Sequence, residues 1–195
     1  MISGLVLAAG EARRYGSTKQ LAELAGKPLA QHAIDAAHDA GLGEIVVVLG
    51  HDARAVARAI DLPDEARTVV NLAFGSGIAS SLAVGISDTG PESEGAVVLL
   101  ADQPGIGAPV IEELVRAFRA RSARIVRAAF RDGPGPSLLS REIYAEAAHL
   151  SGDEGARRLA IAHPDWVEEV TMPGNAPLDV DTPQDGERVR ATFDR

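Results

Sequence analysis

The residues best suited to bind a polyphosphate lie in one loop, at positions 7–19 (LAAGEARRYGSTK). Small residues end an apolar run there, and the chain then passes Gly10 and Gly16 and the cations Arg13, Arg14 and Lys19. In an open α/β sheet, ligands bind beyond the carboxyl ends of the strands, where a loop of small residues can turn its N–H groups toward phosphate oxygens. Arginine can bind two such oxygens and lysine offers a mobile charge. We expect phosphate binding here; the alternative is a flexible basic surface loop.

Two common phosphate-binding motifs are absent from this loop. The Walker pattern G-x-x-x-x-G-K-[ST] does not fit, because Gly10 and Gly16 are one residue too far apart and Lys19 does not adjoin Gly16. No G-x-G-x-x-G sequence follows the apolar run, which excludes the common dinucleotide fingerprint. The loop is therefore neither an ordinary P-loop nor a dinucleotide site.

Two aspartates that follow apolar stretches far apart in the chain are candidate metal ligands. Asp102 stands in LLADQP and Asp181 in VDTPQD. Mg²⁺ prefers oxygen ligands, commonly one or two carboxylates with phosphates and water. Two such residues at the ends of separate strands could share one ion that neutralises phosphate charge. Each also has a structural interpretation, Asp102 as the end of a strand and Asp181 as a helix N-cap.

A second loop, residues 71–82 (NLAFGSGIASSL), is rich in glycine and serine and is a candidate base site. Glycine lets the backbone approach a flat ring, and serine hydroxyls can hydrogen-bond to the edge of that ring. The alternative is an ordinary helix entry that is capped by Ser80.

Hydrophobic patterning places these loops in an alternation of strands and helices. Short β-branched runs predict buried strands at 2–9, 44–49 and 95–100, and helical periodicity predicts helices at 28–40, 52–60, 80–87 and 109–120. This alternation implies an α/β fold with a mostly parallel sheet. In the less regular second half we expect strands at 123–130, 137–139, 166–170 and 178–180, a turn at 131–136, and helices at 153–162 and from 183.

Composition limits the class of protein. The 195 residues fit a single domain, 1–195, and the net charge of −9 argues against nucleic acid and anionic membrane surfaces as partners. Aromatic residues make up only 4%, which leaves few stacking platforms for single-stranded nucleic acid. Cysteine is absent, so thiolate metal sites and cysteine nucleophiles are excluded. No apolar run is long enough for a membrane helix, and we expect a cytoplasmic protein.

The loops and aspartates together resemble the MobA-like nucleotidyltransferase superfamily. Its signature L-A-[AG]-G-x-[ST]-x-R-M-G-x-x-K is matched at Gly10, Arg14, Gly16 and Lys19, whereas Ala12 and Tyr15 depart from it. The resemblance implies a Rossmann-like three-layer α/β/α sandwich of the nucleotide-diphospho-sugar transferase type. It also implies that Mg²⁺ is the cofactor. The residue roles that it implies are catalysis by Arg14, Lys19 and Asp102, nucleotide binding by Leu7, Ala8, Ala9, Gly10, Lys19, Asn71, Gly77 and Ser81, and metal binding by Asp102 and Asp181.

Within the superfamily, the chain resembles the molybdenum cofactor cytidylyltransferase branch. Ala9 stands where guanylyltransferases have glycine, and its bulk leaves less room for a purine. Asp153 and Arg157 in GDEGAR match the branch motif G-D-x-G-A-R, which implies a place on the acceptor side. One departure is Gly135 in Pro-Gly-Pro, where the branch has histidine, so the acceptor can differ.

The expected reaction is transfer of CMP from CTP to a small phosphorylated acceptor, with molybdopterin as the leading candidate, and release of pyrophosphate. Transient contact with a molybdoenzyme is a further implied partnership. Three alternatives stay open: a cytidylyltransferase for a sugar or polyol phosphate, a non-catalytic nucleotide-binding partner of a molybdoenzyme, and a glycosyltransferase. The last would use Asp179-Val180-Asp181 as its D-x-D motif.

Overall fold

A seven-stranded sheet with helices on both faces organises the part of the chain that the computed structural model describes, residues 1–11, 14–121 and 123–193. The strands are β1 (Ile2–Ala8), β2 (Glu23–Leu24), β3 (Lys27–Pro28), β4 (Glu44–Leu49), β5 (Ala66–Val70), β6 (Gly95–Leu100), β7 (Ile125–Phe130), β8 (Gly133–Ser140) and β9 (Val167–Thr171). The α-helices are α1 (Leu29–Asp39), α2 (Ala53–Ala59), α3 (Ile78–Asp88), α4 (Ala108–Ala120), α5 (Tyr144–Ala148), α6 (Ala156–Ala162) and α7 (Pro183–Phe193).

The large sheet has the strand order β5-β4-β1-β6-β8-β7-β9. Strand β8 runs antiparallel to both of its neighbours, and the other strands run parallel to one another. β2 and β3 pair separately as a short hairpin. The prediction of a Rossmann-like α/β fold with a mostly parallel sheet is confirmed. Among the described helices, none combines the length and apolar character needed to cross a membrane.

Side chains that alternate along the central strands build two cores, one on each face of the sheet. From β1, Val6 packs into the core beneath α1, α2 and α4, whereas Leu5 packs into the core beneath α3, α5 and α6. Both are fully buried, as expected for parallel strands covered on both faces. Burial of each such side chain stabilises the fold by about 1.5–3 kcal/mol. These cores hold the carboxyl ends of β1 and β6 in fixed register.

The secondary structure differs from the sequence-based prediction in several places. Residues 178–180 form no strand; Val180 donates one backbone hydrogen bond to the Asp102 carbonyl, 2.8 Å away, and no ladder follows. Residues 131–136 are not only a turn, because β8 begins at Gly133. A register shift between Arg127 and Ala129 accommodates the prolines of β8, which cannot donate to the sheet. The prediction also missed β5, a half-exposed edge strand, and the short helix α5.

Candidate active site

A cleft of about 390 Å³ opens at the carboxyl ends of β1 and β6. It lies between the loop after β1, the entry to α3 and the loop after β6. Because parallel strands present their carboxyl ends at one edge of the sheet, loops that are remote in sequence meet there. The side chains and backbone that line it come from Leu7, Ala9, Gly10, Glu11, Lys19, Gln20, Leu29, Phe74, Gly75, Gly77, Ile78, Ser81, Leu100, Ala101, Asp102 and Asp153.

A lysine between two carboxylates forms the charged centre of this site. Lys19 Nζ donates to Asp102 Oδ2 at 2.8 Å and to Asp181 Oδ1 at 3.1 Å, and the Lys19 side chain is only 11% exposed. Burial alone would lower the pKa of Lys19, but the charges and hydrogen bonds of Asp102 and Asp181 raise it above its ordinary value. Lys19 therefore keeps its positive charge at neutral pH. The structure brings together the three residues that the sequence placed at the ends of separate elements.

The carboxylate of Asp102 is only partly paired. Its Oδ1 atom is buried and finds no hydrogen-bond partner in residues 1–11, 14–121 and 123–193. A buried carboxylate oxygen without a partner is unfavourable, so it is a natural ligand position for a cation. Within the same ranges no group of three or more histidine, cysteine or acidic side chains could hold a metal ion. Asp102 and Asp181 offer two carboxylates, and Mg²⁺ is commonly held by one or two carboxylates together with phosphate and water.

Arg14 and Asp179 lie at the rim of this centre. Arg14 donates to Asp181 Oδ2 at 2.8 Å, but its side chain is 73% exposed and it does not line the cleft. Asp179 accepts a hydrogen bond from Gln103 Nε2 at 2.8 Å. Desolvation raises the pKa of Asp179, and the nearby Asp102 and Asp181 carboxylates add to that rise. Arg13, the other arginine of the loop, lies outside the described residues.

The loop that follows β1, called the phosphate loop for its predicted role, is held at Gly10 by Gln20. Gln20 was not among the predicted site residues. Gln20 is buried, lines the cleft and donates from Nε2 to the Gly10 carbonyl at 2.8 Å. This bond fixes the direction of the peptide unit that follows Gly10. No pattern in the sequence around Gln20 predicts this contact, which depends on how the loop folds back on itself.

The second glycine-rich loop enters α3 beside the cleft. Ser81 lines the cleft, and Asn71 lies behind it, 1% exposed, where its Nδ2 atom donates to Ser80 Oγ at 2.8 Å and Ser81 Oγ at 3.0 Å. Asn71 does not line the cleft; the geometry gives it a positioning role instead of the direct nucleotide contact that was predicted. Ser80 donates to the Gly77 carbonyl, and no side-chain cap bond forms at the start of α3.

Gly77 cannot be replaced without disturbing the opposite wall. Its φ of 106° is strained for other residues, and a Cβ atom there would lie 2.2 Å from the Gly152 carbonyl oxygen. The Ala79 N–H donates to the same oxygen at 3.1 Å. The entry to α3 is therefore packed directly against the loop that carries Asp153.

The three residues before Gly10 divide between the faces of the sheet. Leu7 and Ala9 line the cleft, as predicted for nucleotide-binding residues. The side chain of Ala8 instead packs into the core beneath α1, α2 and α4, on the other face. Strand alternation is the physical reason, because successive side chains point to opposite faces. Ala8 therefore cannot contact a ligand in the cleft through its side chain.

A second pocket, of about 310 Å³, adjoins the cleft and holds the predicted acceptor-side residues. Asp153 and Arg157 both line it, and both are exposed. Gly135 also lines it, and a Cβ atom there would start 2.6 Å from the Phe130 ring. A histidine at position 135 would therefore require the Phe130 ring to move.

A phosphate loop, a buried lysine between two aspartates, and a neighbouring pocket define a class of protein: an α/β enzyme that acts on a nucleotide. Residues 4–166 match the MobA-like NTP transferase domain, and the chain belongs to this family. The family assignment confirms the resemblance found in the sequence. The roles of the individual residues stay predictions, supported by their position.

Curated relatives show how widely this domain is used. Nicotine blue oxidoreductase from Paenarthrobacter nicotinovorans is 32% identical over 166 residues, which cover 80% of this chain and 79% of that protein. The bifunctional protein GlmU from Paraburkholderia xenovorans is 31% identical over 162 residues, a match that covers 81% of this chain but only 35% of that protein. The family is therefore secure, whereas these names do not agree on one reaction.

Solved structures resemble the chain over its whole length. A homologue of Rv0371c from Mycobacterium sp. strain JC1 is 34% identical with a TM-score of 0.88, covering 100% of this chain and 97% of that one. Rv0371c of Mycobacterium tuberculosis in complex with manganese is 30% identical with a TM-score of 0.83, covering 97% of both chains. A divalent metal is thus bound by a structurally similar protein.

Proposed function

We propose that this protein transfers CMP from CTP to a small phosphorylated acceptor, with Mg²⁺ as the cofactor and pyrophosphate as the second product. The observation that carries the proposal is the Lys19 ammonium held between Asp102 and Asp181 beside the loop at Gly10. This arrangement offers a fixed cation for phosphate and two carboxylates for a metal in the same cleft. Membership in the MobA-like NTP transferase family supports the reaction class.

The reaction needs positioning and charge more than acid–base chemistry. An oxygen of the acceptor phosphate forms a bond to the α-phosphorus of the nucleotide, and the bond from that phosphorus to the β-phosphate bridge breaks. A phosphate monoester is already ionised near neutral pH, so no strong general base is required. Lys19 binds phosphate oxygens and stabilises developing charge. Arg14 lies outside the cleft and would have to leave Asp181 to join it. Mg²⁺ on Asp102 and Asp181 would supply further charge neutralisation for the triphosphate.

The choice of CTP and of the acceptor rests on fewer residues. Ala9 lines the cleft and its methyl group reduces the room for a purine, and Ser81 offers a hydroxyl to the base. Molybdopterin is the first acceptor to test, because GDEGAR at 152–157 resembles the acceptor motif of the molybdenum cofactor branch. Sugar and polyol phosphates are the next candidates, since Gly135 departs from that branch.

The test is pyrophosphate release with each of the four NTPs, with Mg²⁺ or EDTA, and with a panel of phosphorylated acceptors that includes molybdopterin. We expect CTP to be preferred and EDTA to abolish turnover. Lys19→Ala should lower kcat by roughly 100-fold or more, because a preorganised charge at the reacting phosphates is lost. Lys27→Ala is the matched control, since the chain's other lysine pairs with Asp35 at 2.5 Å and is 55% exposed.

Full turnover by the Lys19→Ala variant would overturn the proposed mechanism. CTP binding without turnover for every acceptor would instead favour the non-catalytic nucleotide-binding partner. A sugar nucleotide consumed in place of an NTP would favour the glycosyltransferase alternative.

A second candidate reaction comes from the relative named nicotine blue oxidoreductase, which matches most of this chain. A reductase of that kind would oxidise NADH or NADPH in the presence of a quinone-like dye. The loop after β1 lacks the G-x-G-x-x-G fingerprint of a common dinucleotide site, which favours the transferase. Absorbance of NADPH at 340 nm, followed with the dye and without any NTP, separates the two reactions.

A further inference from the structure

The second pocket combines apolar walls with one partly buried cationic side chain. Its lining includes Leu7, Leu82, Val98, Leu100 and Arg127. The Arg127 side chain is 21% exposed. Neither the phosphate loop nor the carboxylate pair uses this arginine.

Sheet register fixes where Arg127 points. On β7, Arg127 pairs with Ser137 of β8, which in turn pairs with Val98 of β6. Directly opposite residues project to the same face of a sheet, so Arg127, Ser137 and Val98 form one row under α3 and α6. The Arg127 guanidinium therefore lies on the face that carries the cleft, about 10 Å across the sheet from β6.

One donor of this guanidinium is unused. Arg127 Nη2 donates to Glu169 Oε1 on β9, on the side away from the pocket residues of β6. Arg127 Nε is buried and meets no acceptor in the described ranges 1–11, 14–121 and 123–193. A buried donor without a partner is unfavourable, and native structures rarely leave one unless a ligand, ion or water completes it.

Two of the three ionisable residues that line the pocket are arginines. These residues are Arg127, Arg157 and Asp153, and Glu169, which does not line the pocket, pairs with Arg127 and balances its charge. The pocket and the cleft share Leu7, Ile78, Leu100 and Asp153 in their linings, so one ligand can extend from one into the other.

We propose that Arg127 binds a second anionic group of the acceptor, a carboxylate or a phosphate, at the end remote from the phosphate that reacts. This inference rests on the proposed function, because it assigns the substrate class of the same site. The acceptor would then carry a second anion besides the phosphate that reacts, and a flat or apolar middle section that packs on Leu7, Val98 and Leu100. Molybdopterin has a single phosphate and an uncharged pterin at its other end, so this inference favours a different phosphorylated acceptor. Arg127 is a specificity-determining residue in this scheme.

Binding of small fluorinated probes tests the proposal without any turnover. The probes are 4-fluorobenzoate, 4-fluorophenyl phosphate and neutral 4-fluorobenzamide, with affinity measured by ¹⁹F NMR on the full chain. We expect the better anion to bind at least about tenfold more tightly than the amide, because a charge-assisted hydrogen bond is gained. The stronger of the two anions identifies the second group as a carboxylate or as a phosphate.

Variants separate this site from the cleft and from a merely structural role. Because Lys19 in the adjoining cleft can also bind an anionic probe, the affinities are compared in a Lys19→Ala background. In that background Arg127→Met should abolish the preference for the anion, and Arg127→Lys should weaken it. Glu169→Gln removes the ion pair but keeps the guanidinium, so it should retain or increase the preference. Circular dichroism melting of each variant shows that it is folded.

Equal affinity for the amide and the anions in Lys19→Ala would overturn the proposal, because the probes would then depend on the cleft. A preference that survives in the Lys19→Ala/Arg127→Met double variant would also overturn it. Because no NTP is present, failure of pyrophosphate release would leave these results unchanged and would count only against the proposed reaction.

Discussion

Carboxylates paired with cations lie at both ends of the central strands, and they differ in how fully their oxygens are used. At the amino end, Glu44 accepts hydrogen bonds from Ser3 at 2.7 Å, Arg67 at 2.9 Å and the Gly90 N–H at 2.9 Å. Arg67 also donates from Nε to Asp88 at 2.8 Å. Both oxygens of Glu44 are satisfied without any ligand.

At the carboxyl end, the Asp102 carboxylate meets Lys19 through Oδ2 only, and Oδ1 has no partner within the described part of the chain. The Glu44 side chain is 8% exposed and that of Asp102 is 27% exposed, although its Oδ1 atom is buried. What distinguishes them is the unused oxygen beside an open cleft, which is unfavourable for stability unless a ligand completes it. The Glu44 network is therefore interpreted as structural and the Asp102 network as functional.

The largest expected effect is that of Asp102→Asn, which tests whether the Asp102 network is functional. Asp102→Asn keeps the size of the side chain but removes the charge that would hold a metal with Asp181. We expect pyrophosphate release to fall by roughly 100-fold or more. The free energy of unfolding should change by less than about 1 kcal/mol, because Lys19 keeps its bond to Asp181. Steady-state kinetics and urea unfolding measure the two quantities.

If Asp102→Asn instead unfolded the protein and left the turnover of the folded fraction unchanged, Asp102 would be a structural residue like Glu44. The unfolding measurement in the same buffer keeps these two outcomes apart.

For Glu44→Gln we expect a loss of stability with little change in turnover. The amide cannot match the charge-assisted bonds to Arg67, Ser3 and Gly90, so the free energy of unfolding should fall by about 2 kcal/mol or more. The kcat of the folded enzyme should stay within about twofold of the wild type. Glu44 lies at the amino end of β4, remote from the cleft, and does not contact the reacting phosphates. A loss of kcat at unchanged stability would contradict the structural assignment.

The pH dependence of the free energy of unfolding gives a further test of the structural role of Glu44. Burial alone would raise the pKa of Glu44, but the hydrogen bonds from Ser3, Arg67 and Gly90 hold it below its ordinary value of 4.5. A depressed pKa in the folded state means that ionised Glu44 stabilises the protein above the unfolded-state pKa, and that this contribution is lost as the pH falls through the folded-state pKa. The stability difference between wild type and Glu44→Gln should be constant near neutral pH and shrink below about pH 4.5. A difference that grows on acidification would contradict the assignment.

The sequence predicted the cleft end of the molecule better than the later strands. Strongly patterned runs located β1, β4 and β6 within one residue at each end, because burial on both faces leaves an unbroken apolar signal. The convergence of Lys19 and Asp102 followed from the rule that parallel strands end at one edge. Asp181 joins them although residues 178–180 form no strand. The strand at Gly133–Ser140 was only partly predicted, since its prolines and glycines are typical of turns and only the register shift with β7 accommodates them.

Contacts that depend on side-chain packing could not be predicted from the sequence. Nothing in the pattern shows that Asn71 lies behind Ser81, or that Gln20 fixes the Gly10 carbonyl. Arg127 was predicted to lie on the strand at 123–130 but was not among the predicted site residues. Its burial depends on how β7 pairs with β8 and β9, which is tertiary information.

The smallest expected effect concerns Ala8, the last residue of β1, and Ala9, which follows it. Ala9→Gly removes a methyl group from the cleft, so the ratio of kcat/KM for CTP over GTP should fall by about tenfold, the lower limit for one methylene in a pocket. Ala8→Gly is the matched control, because both side chains are buried, at 1% for Ala8 and 4% for Ala9, and both variants should lose about 1 kcal/mol of stability. Only Ala9 faces the cleft, so only its variant should change the choice of base. An equal change in both variants would show that a general loosening of the sheet, and not the room beside Ala9, sets the preference for a pyrimidine.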